Sequence, residues 1–169
     1  IILCLPIIGF GQQTFVPDDN FEQALINLGY DSILDDSVLT ANINKVTQLF
    51  LANRNIIDLT GIQAFVDLQT LDCNFNPGLL NLDLSNNIEL ISLSSNQIWG
   101  TQPGALNFID VSNCNKLRFL TLLYSQVSNI NLSDCSLLLN LNIGHNFLTS
   151  IDLSNNDSLQ YLIIDNNLI

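Results

Sequence analysis

The stretch Leu117-Arg118-Phe119-Leu120-Thr121-Leu122-Leu123-Tyr124-Ser125 returns, 21 residues later each time, as Leu138-Leu139-Asn140-Leu141-Asn142-Ile143-Gly144-His145-Asn146 and as Leu159-Gln160-Tyr161-Leu162-Ile163-Ile164-Asp165-Asn166-Asn167. Apolar residues hold the first, fourth and sixth places, and the ninth is polar. A fixed period of this length is the mark of stacked coils, each too small to bury its own apolar side alone. Extending the pattern towards the N-terminus gives three further copies, led by Val46, Leu49, Leu51, then Leu68, Leu71, Cys73, then Ile88, Ile91, Leu93. The ninth place is Asn76, Asn96, Asn146 and Asn167 in four copies, and Arg54 and Ser125 in the other two.

A second apolar series lies between these: Leu79, Leu82, Leu84; Leu106, Ile109, Val111; Val127, Ile130, Leu132; and Leu148, Ile151, Leu153. Alternation over so few residues reads as strand and not helix. Each coil is therefore expected to supply two short strands. Equivalent strands stacked about 4.8 Å apart make two parallel sheets facing each other across a Leu/Ile core. The fold class is mostly β, a leucine-rich-repeat solenoid. The ninth-place asparagines have a mechanical job, because a buried amide satisfies backbone donors and acceptors exposed at a bend. Asn87 and Asn156 take this role in the second series, where Cys114 and Cys135 stand in two other copies. Those two cysteines are one coil apart, within reach of a disulfide, but ladder thiols need not be oxidised and the first reading is of small buried fillers.

Around this array three segments are expected. Residues 1–11 are an apolar run ending in Gly9-Phe10-Gly11, read as the remainder of a signal peptide cleaved after Gly11. Residues 12–45 form an N-terminal cap with a helix over about 18–28. Asp19 and Glu22 have capping-box spacing, Phe21, Ala24, Leu25 and Leu28 share one face, and Gly29 ends the helix. Residues 46–169 are the repeats, about six coils. The longest coil carries its surplus in Trp99-Gly100-Thr101-Gln102-Pro103-Gly104-Ala105, read as an outward loop in which Trp99 either contacts a ligand or folds back as a plug.

Charge narrows the function. Four basic residues stand against sixteen acidic ones, for a net charge of −12. Nucleic acid needs clustered Lys and Arg, so it is excluded as a partner. No mature stretch is long and apolar enough to cross a bilayer. Catalysis would need a nucleophile with its base, paired acids in a cleft, or a metal set. His145 is the single histidine and sits in a turn, so no enzyme, cofactor or metal is expected. Asp83, Asp110 and Asp152 recur at the outward position of the second series, with Asn131 between, and read as a solvated stripe. The outward face of the first series is different: Phe50, Leu90, Phe119, Leu123, Tyr161 and Ile163, with Arg118, Tyr124 and His145 beside them. Aromatics and arginine on a rigid sheet suit recognition. That face is the candidate binding surface for a protein or cell-surface ligand. A glycan stacking on Trp99, Tyr124 or Tyr161 is the alternative, as is a spacer with no ligand.

Three stretches carry a resemblance. Phe15-Val16-Pro17-Asp18-Asp19-Asn20-Phe21-Glu22-Gln23-Ala24-Leu25-Ile26, Ile57-Asp58-Leu59-Thr60-Gly61-Ile62, and the repeated Leu-Asp-Leu-Ser-Asn-Asn resemble secreted leucine-rich-repeat proteins of Bacteroidetes, especially flavobacteria. Residues 56–68 also resemble the internalin-type repeat. The resemblance implies a secreted or outer-surface location, export by the type IX route, and sequence beyond residue 169. Some such proteins bear an EF-hand-like stretch after the cap helix. Here Asp31-Ser32-Ile33-Leu34-Asp35-Asp36 lacks the alternating acids and turn glycine, and reads as a polar turn.

Overall fold

A computed structural model describes residues 11–97 and 106–169. The proposed signal segment, save Gly11, and the Trp99 loop lie outside the described residues.

The first-series copies form one parallel sheet of six three-residue strands: β3 (Gln48–Phe50), β4 (Thr70–Asp72), β6 (Ser92–Ser94), β8 (Phe119–Thr121), β9 (Asn140–Asn142) and β10 (Tyr161–Ile163), stacked in chain order. The register aligns Leu49, Leu71, Leu93, Leu120, Leu141 and Leu162, with each central leucine directly above the next. The leucines from Leu49 to Leu141 are at most 1% exposed. With their neighbours at the first place, and at the sixth place in every coil but the third, they make a continuous core through the first five coils.

This register corrects the third coil. Leu68 and Leu71 are matched by Leu90 and Leu93, two residues later than the Ile88 start read from the sequence. Leu90 is fully buried and Ile88 is half exposed, so Leu90 is a core residue and not part of the outward face. The third core slot then falls to Ser95, a polar residue whose hydroxyl is buried without a partner. Asn96 aligns with Asn74, not with the ladder asparagines. Its Oδ1 accepts the Leu123 N–H at 2.8 Å, and its own N–H donates to Asn74 Oδ1 at 2.6 Å.

The second series is less regular than expected. Only β5 (Asn81–Asp83) and β7 (Phe108–Asp110) pair, in parallel, as a two-stranded sheet. The later copies touch through single backbone bonds, Gln126 N–H to Leu106 C=O at 2.8 Å, Phe147 to Val127 at 2.9 Å and Leu168 to Leu148 at 2.8 Å. A ladder needs bonds at alternate residues.

On the N-terminal side, β1 (Gln13–Phe15) pairs antiparallel with β2 (Ser37–Leu39), and α1 (Asp19–Asn27) lies between them in sequence. A four-residue helix, α2 (Thr40–Ile43), leads into the coils. Helix α1 does not use the expected Asp19–Glu22 box. Asp18 is the N-cap, its Oδ1 accepting the N–H groups of Asn20 and Phe21, while its Oδ2 accepts those of Ile57 and Asp58 at 2.7 and 2.9 Å. One carboxylate thus ties the helix to the first coil. Glu22 is fully buried and accepts the N–H groups of Asp35, Asp36 and Ser37 at 3.0–3.1 Å. The acidic turn after the helix is therefore organised around a buried carboxylate. The rings of Phe21 and Phe65 meet at 6.3 Å, joining the helix to the core. Gly61 lets the first coil approach β1 closely. Its φ of +104° is left-handed, and a Cβ there would stand 2.7 Å from the Phe15 carbonyl oxygen.

Candidate functional site

Each strand of the six-stranded sheet points its central residue inward and its two flanking residues outward. The outward positions form two columns. One runs Gln48, Thr70, Ser92, Phe119, Asn140, Tyr161, and the other Phe50, Asp72, Ser94, Thr121, Asn142, Ile163. The candidate residues therefore do not form one stripe. Phe50 lies at one edge of the sheet, 52% exposed, with polar Asp72 and Ser94 beside it. Phe119, Tyr161 and Ile163 are 41%, 65% and 48% exposed and belong to the fourth and sixth coils, with Asn140 and Asn142 between. The centre of the face is polar and its apolar groups gather over the last three coils.

A third column borders that region. Four residues after each central leucine stand Asn53, Phe75, Gln97, Tyr124, His145 and Asn166. All but Gln97 have φ between 55° and 57°, the left-handed region, which turns the chain sharply as it leaves the sheet. Tyr124 and His145 stack there, ring centroids 4.3 Å apart and planes 25° from parallel. His145 Nε2 lies 3.2 Å from Asn166 Nδ2 and 3.8 Å from Asp165 Oδ2. Leu123 is half buried and Arg118 exposed, with no side-chain partner for Arg118 among the described residues. Of the residues expected to cooperate, Arg118, Phe119, Leu123, Tyr124, His145, Tyr161 and Ile163 do fall on adjoining coils, and Phe50 does not. The left-handed column was invisible in sequence because its members, Asn, Phe, Tyr and His, share no side-chain chemistry.

Behind the face, the polar ladders are of two chemical kinds. In the first series the amide works at both ends. Asn76 Nδ2 donates to Leu51, Cys73 and Asn74 carbonyls at 2.9, 3.0 and 3.3 Å, and its Oδ1 accepts the Arg54 and Ile56 N–H groups at 3.1 Å. Asn146 and Asn167 repeat the pattern, accepting from Val127 and Leu148. In the second series only the donor is used. Asn87 Nδ2 donates to Ile62 and Phe65 carbonyls, Asn156 Nδ2 to Leu132 and Cys135 carbonyls, and both Oδ1 atoms are buried without a partner. Cys114 and Cys135 occupy that same column as free thiols, with sulfurs 3.5 Å from the Leu84 carbonyl and 3.9 Å from that of Val111. A thiol is a weak donor, which is all this column requires. Burial pushes the Cys73, Cys114 and Cys135 thiols up to about 12, 12 and 11.

The acidic stripe is also built into the turns. Asp58, Asp83, Asp110 and Asp152 each accept the N–H of the Thr or Ser two residues on, at 2.8–3.0 Å. For Asp152 that bond lowers the carboxyl below its ordinary value. Among the described residues no three His, Cys, Asp or Glu side chains converge as metal ligands, and no helix is long and apolar enough to cross a membrane.

No family model matches the chain, and no curated protein matches it. Among solved structures it is similar to an internalin of Listeria monocytogenes (inlF), at 24% identity and a TM-score of 0.71 over 90% of this chain and 44% of that one. It is also similar to the functional domain of InlJ from the same organism, which includes a cysteine ladder, at 20% identity and a TM-score of 0.50 over 93% of this chain and 48% of that one. The chain spans less than half the length of either protein. The fold is an internalin-like leucine-rich repeat.

Proposed function

We propose that this chain is a non-catalytic recognition module, carried outside the cytoplasm, that binds another protein through the outward sheet face of its last three coils. The observation that carries this reading is the gathering of Phe119, Tyr161 and Ile163 beside the Tyr124–His145 stack, on strands hydrogen-bonded into the six-stranded sheet. Aromatic side chains bring large contact area with few rotatable bonds, so they suit the centre of an interface. The polar Asn140 and Asn142 between them supply donors and acceptors for a partner's backbone. The apolar run at residues 1–11 and the internalin-like fold support an extracellular or outer-surface setting.

The test is a screen of the purified chain against an array of surface-protein ectodomains, repeated with Phe119, Tyr124 and Tyr161 all changed to Ala. Loss of the hits at unchanged circular dichroism supports the face. Hits that bind the triple variant as well as the parent place recognition elsewhere. A glycan array that shifts Trp99 fluorescence while the ectodomain screen stays silent favours carbohydrate.

A further inference from the structure

The first strand of the large sheet has an unused side. In a parallel strand the backbone groups of alternate residues point to opposite neighbours. Thr47 accepts the Thr70 N–H at 3.0 Å and the Leu51 N–H donates to Asp72 at 2.6 Å, so residues 47, 49 and 51 face β4. The N–H and C=O of Gln48 and Phe50 therefore point away from the sheet, where β3 is the edge strand. They open into a groove of about 540 Å³ lined by Leu28, Tyr30, Lys45, Val46 and Phe50, among others. Among the described residues no carboxylate lines it. Lys45 is exposed and makes no ion pair among the described residues, in a chain with sixteen acidic residues.

From this geometry we infer that the β3 edge is a second binding site, which takes an extended polypeptide segment of a partner protein as an added strand. Main-chain bonds to Gln48 and Phe50 hold the segment. An acidic side chain meets Lys45, and an apolar one lies against Leu28, Tyr30 and Phe50. Strand addition of this kind draws its affinity from backbone bonds and its selectivity from alternate side chains. Lys45 favours an acidic side chain locally, and a short segment meets far less of the net charge of −12 than a second copy of this chain would. The site is separate from the face over the last three coils and does not depend on it.

The probe is an array of linear heptapeptides of alternating Val and Thr, each carrying one Asp, Glu, Lys or Gln. The acidic members are expected to bind, and Lys45→Glu to weaken them by about tenfold or more while favouring the Lys-bearing members. Gln48→Pro deletes one N–H that no strand among the described residues uses, and an edge strand tolerates proline. It is expected to weaken binding by about tenfold, the worth of one backbone bond, whereas Gln48→Val keeps the N–H and binds as the parent does. If Gln48→Pro does not fold, the Lys45→Glu charge reversal decides alone. Binding indifferent to charge, binding equal in Gln48→Pro and the parent, or no binding at all overturns the inference. So does concentration-dependent dimerisation abolished by Gln48→Pro, which would make a second copy the occupant.

Discussion

The same substitution at two ladder positions, Asn76→Cys and Asn87→Cys, should have very different costs. Both asparagines are fully buried, and cysteine is close in size to asparagine, so packing changes little at either. At position 76 the amide oxygen is the acceptor for the buried Ile56 N–H and for that of Arg54. A thiol does not replace that acceptor, and it donates to at most one of the three carbonyls now served. Leaving a buried backbone group unpaired costs about 1–3 kcal/mol, so Asn76→Cys should lose about 2–4 kcal/mol. At position 87 the carbonyls served by the amide keep other partners, Ile62 the Phe65 N–H at 3.0 Å and Phe65 the Leu68 N–H at 3.1 Å. The substitution also removes a buried oxygen that no donor reaches. Asn87→Cys should fall within about 1 kcal/mol of the parent. Thermal and urea unfolding followed by circular dichroism under reducing conditions reads the difference, roughly 5–15 °C in Tm for the first and about 3 °C or less for the second. Equal losses, or a greater loss at 87, would refute the division of the ladders into donor–acceptor and donor-only columns.

Glu22→Ala strands the N–H groups of Asp35, Asp36 and Ser37 and should cost about 3 kcal/mol or more. Hydrogen exchange at those three amides should rise first, and unchanged protection there would contradict the anchoring role. The thiols of Cys73, Cys114 and Cys135 should resist iodoacetamide in the native chain at pH 8 and react fully in urea, since only the thiolate attacks. In the unfolded chain they ionise near their ordinary value of 9.0, but when folded they keep the proton to about 11 or 12. Unfolding then releases protons above pH 9, so stability should decline from there towards pH 11–12. Flat stability across that range would place the thiols nearer solvent.

The coils were legible because leucines recur with little competition at 117, 138 and 159, where the register has one solution. The third coil was not, because Leu93 fits two overlapping frames two residues apart. Period-two alternation gives both frames the same inward parity, and the polar Ser95 disguised the right one. Asn96 then occupied the ninth place of the wrong frame. Helix α1 was readable from its apolar face, but Glu22 looked like a capping residue, since its partners are set by a return of the chain thirteen to fifteen residues later. Among the site residues, those on the last three coils could be brought together from the period alone. The Tyr124–His145 stack depends on a backbone sign of φ that sequence periodicity does not carry.

In both columns the asparagines pass a hydrogen bond back to the coil before their own: Asn76 reaches Leu51, Asn146 reaches Leu122, Asn87 reaches Ile62 and Asn156 reaches Leu132. A whole coil gained or lost by recombination would therefore bring or take one link and leave the join intact, with the next amide meeting an equivalent carbonyl. Such an array can change its reach by coil-sized steps while each step preserves the interior. A change of one or two residues has no such protection, because it sets every later amide out of step with its carbonyl.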